Sequence, residues 1–94
     1  MPVLLIRHRV ADFDTWWQSF ENDAKVRRAN GGLSDQVYRS GPDGKEIWLL
    51  LEWDDLARAR LFTQSDDLMD LMERSGITDS PNYWYLEEAD SATH

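Results

Sequence analysis

The sequence predicts an α+β fold of the ferredoxin-like βαββαβ type, an antiparallel four-stranded sheet with two helices on one face. Short runs of alternating polarity, typical of strands, flank longer runs of helical periodicity. The chain also resembles a doubled unit, since Val10-Ala-Asp-Phe13 after the first strand matches Trp53-Asp-Asp-Leu56 after the third. Because 94 residues correspond to about one domain, residues 1–89 are predicted to form it, followed by a polar tail over residues 90–94.

Four segments are predicted to be strands. Residues 3–10 alternate and are rich in Val, Leu and Ile, and residues 46–53 alternate in the same way. Residues 33–39 form a further strand, because the turn sequence Gly41-Pro-Asp-Gly44 joins it to the next one as a hairpin. The aromatic run at residues 82–87 is predicted to be the last strand.

Capping signals set the limits of the two helical segments. Asp12 is a predicted N-cap, and the helix that follows is expected to continue to Gly31. The second helix is predicted to begin at Asp54-Asp55 and to restart at Ser65, which is a new capping residue. Gly76 is expected to end it.

The third strand predicts which sheet face the helices cover. Its residues Ile47, Leu49, Leu51 and Trp53 form a wholly apolar face. Aligning the two halves of the chain places His8 on that same, helix-facing side. The opposite face is predicted to carry Leu5, Arg7, Arg9, Trp48, Leu50 and Glu52. Since the first and third strands are neighbours in this fold, an ion pair between Arg9 and Glu52 is expected.

The face that looks away from the helices predicts self-association. It would expose Leu5, Trp48 and Leu50, together with aromatic residues of the flanking strands, namely Tyr38 and either Tyr83 with Tyr85 or Trp84. Contiguous apolar patches of this kind are rare on soluble monomers. A homodimer that closes face to face would cover the patch and form an eight-stranded barrel with a lumen.

Charge and composition argue against several partners and locations. The formal net charge is −8 and the ten Lys and Arg residues are scattered, which disfavours nucleic acid and anionic membranes. The absence of cysteine excludes disulfides and thiol chemistry. The opening apolar run is too short for a signal peptide or a membrane span, so a cytoplasmic protein is expected.

Four charged residues are candidates for catalysis or binding. His8 is a possible general base near neutral pH, or a structural histidine packed against Trp16. Glu52 is the best acid candidate, because a carboxyl group beside an apolar face tends to have a raised pKa. Arg7 and Arg9 are suited to hold a carboxylate, enolate or phenolate. Alternatively, Arg9 pairs with Glu52 and Arg7 reaches the barrel rim.

Aromatic and acidic residues have competing interpretations as well. Tyr38, Trp48 and Leu50 would line a pocket for a flat aromatic ligand, or fill the barrel as a packed dimer core. Trp16 and Trp17 are better explained by helix–sheet packing. The pairs Asp54-Asp55 and Asp66-Asp67 are better explained as helix caps than as metal ligands. No metal site is predicted, and no cofactor is expected, since no phosphate loop, Ser-His-Asp set or haem motif is visible.

The chain resembles a known superfamily over almost its whole length. The residues that carry the resemblance are His8-x-Val-x-Asp-Phe-x-x-Trp16-x-x-x-Phe20, Leu51-Glu-Trp-Asp-Asp55, Ala59-Arg60, Phe62, and Ser65-x-x-Leu68 through Gly76-Ile77. They resemble small dimeric α+β-barrel proteins near the antibiotic biosynthesis monooxygenase group, often of unassigned function. The resemblance implies a histidine at position 8 in family members. Relatives include cofactor-independent quinone-forming monooxygenases, polyketide cyclases, haem degraders and isomerases or lyases, and fold analogy does not choose among them.

Two functions follow as hypotheses. The first is a cofactor-independent monooxygenase or cyclase that acts on a small aromatic or polyketide-like substrate in the barrel lumen. His8 or Glu52 would abstract a proton there, and Arg7 or Arg9 would hold the oxyanion. The second is a non-catalytic binding or assembly protein with a filled lumen. Haem degradation ranks third, because no histidine lies in the segment that would offer an axial ligand.

Overall fold

The computed structural model describes residues 1–89, and the predicted tail at residues 90–94 lies outside them. The four strands form one antiparallel sheet in the order β2-β3-β1-β4, which confirms the ferredoxin-like topology. No helix within residues 1–89 is long and apolar enough to cross a membrane. In chain order the elements are β1 (Val3–Arg9), α1 (Phe13–Asn22), α2 (Ala24–Ala29), β2 (Gly32–Ser40), β3 (Glu46–Trp53), α3 (Leu56–Thr63), α4 (Asp66–Arg74) and β4 (Asn82–Leu86).

Short polar side chains begin α1, α3 and α4 as predicted. Asp12 accepts a hydrogen bond from the Thr15 backbone N–H at 3.0 Å, and Asp55 accepts from Ala57 at 2.6 Å. Ser65 accepts from the Leu68 backbone N–H at 3.2 Å, which starts α4 after the predicted interruption. These contacts explain both aspartates as caps, since an N-cap oxygen satisfies an N–H that has no partner inside the helix.

The first helical segment is not continuous, contrary to the expectation of one helix up to Gly31. The chain leaves helical geometry at Asp23, where φ is −95° and ψ is 8°, and α2 then begins at Ala24. The sequence Asn22-Asp23 accounts for the break, because both residues have low helix propensity and compete for backbone hydrogen bonds. Gly31 ends α2 with φ +111°, and a Cβ there would lie 2.3 Å from an Asp54 oxygen. The predicted stop at this glycine is therefore confirmed.

The core lies between the sheet and the helices. Trp53 is fully buried and its indole N–H donates to the Asn30 carbonyl at 3.0 Å. Trp16 is buried and Trp17 packs against the core, as predicted. The remaining buried apolar residues are Leu4, Ile6, Val10, Phe20, Ile47, Leu49, Leu51, Ala59, Phe62, Leu68 and Leu71.

The register between β1 and β3 contradicts the predicted ion pair of Arg9 with Glu52. Glu52 lies opposite Val3, whereas Arg9 lies opposite Glu46. Arg9 and Glu52 are therefore separated by about 20 Å along the sheet, at 3.3 Å per residue. The prediction was wrong because equivalent positions of two antiparallel strands lie at opposite ends of the pair.

The sheet face away from the helices is uncovered, and we call it the open face. Its central row contains Leu5 of β1, with Leu50 of β3 and Trp84 of β4 as its direct neighbours. Trp84 is 40% exposed and Tyr38 is 54% exposed. Tyr83 and Tyr85 instead pack against the core on the other side. Trp84, rather than Tyr83 with Tyr85, therefore lies on the open face.

Candidate functional site

The predicted site residues are divided between the two faces of the sheet. His8 points toward the helices and is 2% exposed. The other six candidates occupy the open face, on strands whose register places Arg7 opposite Trp48 and Trp48 opposite Tyr38. The structure thus brings Arg7, Trp48 and Tyr38 into one row. It does not bring His8 to them. The three residues proposed together as catalytic, His8, Arg9 and Glu52, do not form one site within this chain.

His8 borders a cavity that lies between the sheet and the helices, which we call the internal cavity. Its volume is about 30 Å³, enough for a water molecule or two. Trp16 packs edge-on against His8, with 5.6 Å between the ring centroids. The walls are mostly apolar and aromatic, and the residues with polar groups or rings that line them include His8, Trp16, Phe20, Arg27, Ser75 and Tyr83.

His8 is neutral in this environment. Burial lowers the pKa of its imidazole from 6.5 to about 4, since the charged form is poorly solvated there. The Asp79 carboxylate opposes this change and the Arg7 guanidinium adds to it. Nδ1 is buried and has no hydrogen-bond partner among residues 1–89. A buried polar atom without a partner in the protein is costly, so a water or ligand in the cavity is expected to supply one.

Arg27 is a charged residue that lines the internal cavity, and the sequence analysis did not identify it. Its side chain is only 5% exposed. The guanidinium donates to the Phe20 carbonyl at 2.6 Å and to Asp35 at 3.0 Å, and it lies 3.6 Å above the Phe20 ring. In sequence, Arg27 is one of two adjacent arginines in a helix. Its separation of seven residues from Phe20, which would place both on one face of the single helix that the sequence predicted, was the available signal.

Arg7 and Arg9 belong to a charged cluster at one end of the open face. Arg7 donates to Glu46 at 2.7 Å and to Asp79 at 2.8 Å. Asp79 also accepts from the Arg9 backbone N–H at 2.7 Å, while the Arg9 side chain pairs with Asp43 at 2.5 Å. The cluster therefore connects β1 to the β2–β3 turn through Asp43 and to the segment before β4 through Asp79. Both arginines already have carboxylate partners.

The pKa values in this cluster follow from its hydrogen bonds. Hydrogen bonding to Glu46 raises the pKa of Arg7, and the Arg7 guanidinium lowers the pKa of Glu46. Burial acts to raise the pKa of Asp79, but the hydrogen bonds from Arg9 and Arg7 outweigh it, so that the pKa is lowered. Arg7, Glu46 and Asp79 are consequently charged at neutral pH.

Glu52 lies at the opposite end of the open face. Its side chain is exposed and borders a surface groove with Leu50 and Leu86. Among the described residues, neither arginine of the charged cluster reaches it, because both have partners at the other end of the sheet.

The aromatic candidates on the open face contact each other. Trp48 stacks on Trp84 with 5.8 Å between centroids and an angle of 15° between the ring planes. Tyr38 lies beside Trp48 on the neighbouring strand, and Leu50 follows in the next row. This surface is an apolar layer rather than a cavity in the single chain.

The acidic pairs take the structural roles predicted for them. Asp55 caps α3, and Asp54 forms an ion pair with Arg58. Asp66 and Asp67 lie in the first turn of α4, where negative charge is favourable. Within residues 1–89, no group of three or more His, Cys, Asp or Glu residues is arranged to hold a metal ion.

Comparisons with known proteins find the fold but no close relative in sequence. No family model matches the chain, and no curated protein matches it either. Among solved structures, a cofactor-independent oxygenase, SnoaB of Streptomyces nogalater, superimposes with a TM-score of 0.76 at 11% identity, covering 99% of this chain and 97% of that one. A monooxygenase from the gene ActVA-Orf6 of Streptomyces coelicolor, in complex with nanaomycin D, gives 0.67 at 16% identity, covering 99% and 91%.

A third structure, Rv0793 of Mycobacterium tuberculosis, gives a TM-score of 0.67 at 19% identity and covers 99% of this chain and 100% of that one. The structural neighbours thus include an antibiotic biosynthesis monooxygenase and the cofactor-independent oxygenase SnoaB. At these identities the likeness concerns the fold. The chain has the ferredoxin-like α+β fold of the antibiotic biosynthesis monooxygenase-like structures.

Proposed function

We propose that this protein is a homodimeric monooxygenase or cyclase that acts on a small aromatic, polyketide-like substrate and uses no cofactor. The observation that carries the proposal is a neutral His8 at the wall of an aromatic cavity, with an Nδ1 that has no hydrogen-bond partner in the part of the chain that the structure describes. A neutral imidazole accepts a proton. Burial alone disfavours the imidazolium, but the anion formed beside it in a water-poor site stabilises that charge. The internal cavity, rather than the barrel lumen, is therefore our proposed reaction site.

The proposed reaction begins with transfer of a proton from an acidic C–H or O–H of the substrate to His8. For an anthrone, the resulting enolate reacts with dioxygen, and loss of one water molecule gives the quinone. Arg27 lines the same cavity, and although its guanidinium also binds Asp35 and the Phe20 carbonyl, it has further N–H groups suited to stabilise the enolate oxygen. Because the cavity has a volume of only about 30 Å³, the substrate must displace wall residues on entry.

The proposed homodimer uses the open face. Leu5, Trp48 and Leu50 are only partly covered in the single chain, and Trp84, Tyr38 and Leu86 are more exposed. An isologous contact removes this layer from water on both copies at once. The dimer then contains a lumen, as the sequence analysis expected, with the charged cluster at one end and Glu52 at the other.

One observation favours a non-catalytic alternative for the lumen. Trp48 and Trp84 already stack, and Leu5 and Leu50 fill the adjacent row. Two such layers packed together would leave little space, as in a binding or assembly protein with a filled lumen. This alternative concerns the open face and leaves the internal cavity unchanged.

Oxygen uptake tests the proposed function. Purified protein is mixed with 1,8-dihydroxyanthrone, and dioxygen consumption and quinone formation are followed with and without EDTA. We expect one dioxygen per quinone above the uncatalysed rate, with no effect of EDTA. Because both residues lie away from the internal cavity, Arg9→Ala and Glu52→Gln should retain most of the turnover. Loss of turnover in either variant would indicate that the reaction takes place in the barrel lumen. No turnover of any compound in a panel of anthrones and quinols would contradict the proposal.

A further inference from the structure

The hydroxyl group of Tyr83 has an unusually weak hydrogen-bond partner. It donates to the sulfur of Met72 at 3.4 Å. A thioether is a poor acceptor compared with a carbonyl or carboxylate oxygen. Burial raises the pKa of Tyr83, so the hydroxyl keeps its proton at neutral pH and remains a donor. An oxygen atom that reached this position would form a stronger bond than the sulfur does.

Tyr83 lies on the wall of the same cavity as His8. It lies on β4 directly opposite Ile6 of β1, and His8 follows two residues later on the same face. Both side chains line the internal cavity. The hydroxyl of Tyr85, which also packs on the helix side, instead contacts Thr63 at 2.7 Å and does not border the cavity.

Met72 also forms part of the wall that closes the internal cavity. Met72 and Ile77 line both the internal cavity and an outer groove of about 320 Å³. Pockets that bind small ligands typically measure about 300–1,000 Å³, so the groove has the size of a ligand and the cavity does not. Methionine is flexible and changes rotamer at low cost. Movement of its side chain would join the two spaces and release the Tyr83 hydroxyl at the same time.

We propose that Tyr83 donates a hydrogen bond to a bound aromatic ligand. When Met72 moves aside, the Tyr83 hydroxyl exchanges the Met72 sulfur for a phenol or enol oxygen of the ligand as its acceptor. The inference rests on the proposed use of the internal cavity. It adds a specificity determinant, since the site then selects aromatic molecules that carry an oxygen over the corresponding hydrocarbons. Met72 is the residue that the entering ligand displaces.

A matched pair of probes tests this assignment. 1-Naphthol and naphthalene differ by one hydroxyl group, and their dissociation constants are measured by quenching of tryptophan fluorescence. The wild-type protein should prefer 1-naphthol, and Tyr83→Phe should reduce that preference about fivefold, the effect of one hydrogen bond. Naphthalene should bind both proteins equally, which also shows that the variant is folded.

Two further variants separate a binding role from a packing role. Tyr85→Phe removes a hydroxyl on the same strand and should keep the preference for 1-naphthol. Met72→Leu keeps the volume but removes the sulfur acceptor, and should keep or increase the preference. A Tyr83→Phe protein that retains the preference, or a wild-type protein that shows none or binds neither probe, would overturn the assignment. If anthrone turnover is absent but the preference depends on Tyr83, the binding role stands and only the proposed oxygenase chemistry fails.

Discussion

Replacing His8 with phenylalanine is expected to abolish turnover and to leave a folded protein. The imidazole is the proposed base, and a positioned general base typically contributes about 10²–10⁴ in rate. Phenylalanine fits the apolar surroundings next to Trp16 and removes a buried nitrogen that has no partner among residues 1–89. Replacing such an atom by an apolar group is close to neutral for stability. The measurement is oxygen uptake with 1,8-dihydroxyanthrone, alongside thermal unfolding of both proteins.

The same substitution should change how stability depends on pH. Because the folded-state pKa of His8 is lowered from 6.5 to about 4, the unfolded chain binds more protons than the folded one between these pH values. The free energy of unfolding therefore falls as the pH decreases from 6.5, by roughly 3 kcal/mol at pH 4. Carboxylates with lowered pKa values, such as Asp79 and Glu46, contribute to the loss only below about pH 5, where the unfolded chain begins to bind their protons. Denaturant unfolding at pH 7 and pH 5 consequently reports mainly on His8.

His94 is the only other histidine and provides the control. His94→Phe should keep both the turnover and the loss of stability at acidic pH, whereas His8→Phe should lose the turnover and most of this pH dependence. Full activity of the His8→Phe protein would show that His8 has no role in the reaction. An unchanged stability profile would show that the imidazole is not held neutral by burial.

Replacing Leu50 with lysine is expected to dissociate the proposed homodimer. Leu50 lies in the central row of the open face, beside Leu5 and Gln36 on the neighbouring strands. In an isologous contact each substitution occurs twice, so two ammonium groups would have to be buried or rearranged. We expect the dissociation constant to rise by at least about 100-fold, or roughly 3 kcal/mol. The isolated chain should stay folded, because the helix-facing core is unchanged.

Sedimentation at micromolar concentration measures the effect, and Leu61→Lys is the matched control. Leu61 lies on α3 and is 68% exposed, so a lysine there should leave the dimer intact. A wild-type protein that sediments as a compact monomer would contradict the homodimer and the lumen with it. If the Leu50→Lys protein remains dimeric, the dimer contact lies on another surface.

Much of the fold was predictable because hydrophobic alternation reports directly on burial. The wholly apolar face of β3 predicted the side that the helices cover, and the match between the two halves correctly placed His8 on it. The same alignment of the two halves wrongly placed Arg9 beside Glu52. Equivalent residues of two antiparallel strands are neighbours only at the centre of the pair, which here is Ile6 opposite Leu49.

The internal cavity was less predictable than the fold. Arg27 resembles an ordinary surface arginine in sequence, and only the break at Asp23 and the approach of β2 bury it against Asp35. Asp79 was likewise overlooked, because its partners Arg7 and Arg9 are distant in sequence. A cavity depends on side-chain volumes from several elements at once, and periodicity along one element does not report on it.

The position of a bound aromatic ligand tests the central claim most directly. A crystal soaked with 1-naphthol would show where the probe binds in the assembled protein. The account predicts density between the helices and the sheet, against Trp16 and His8, with Met72 displaced toward the outer groove. Density confined to the open face, against Trp48 and Trp84, would contradict it and would assign the binding site to the lumen.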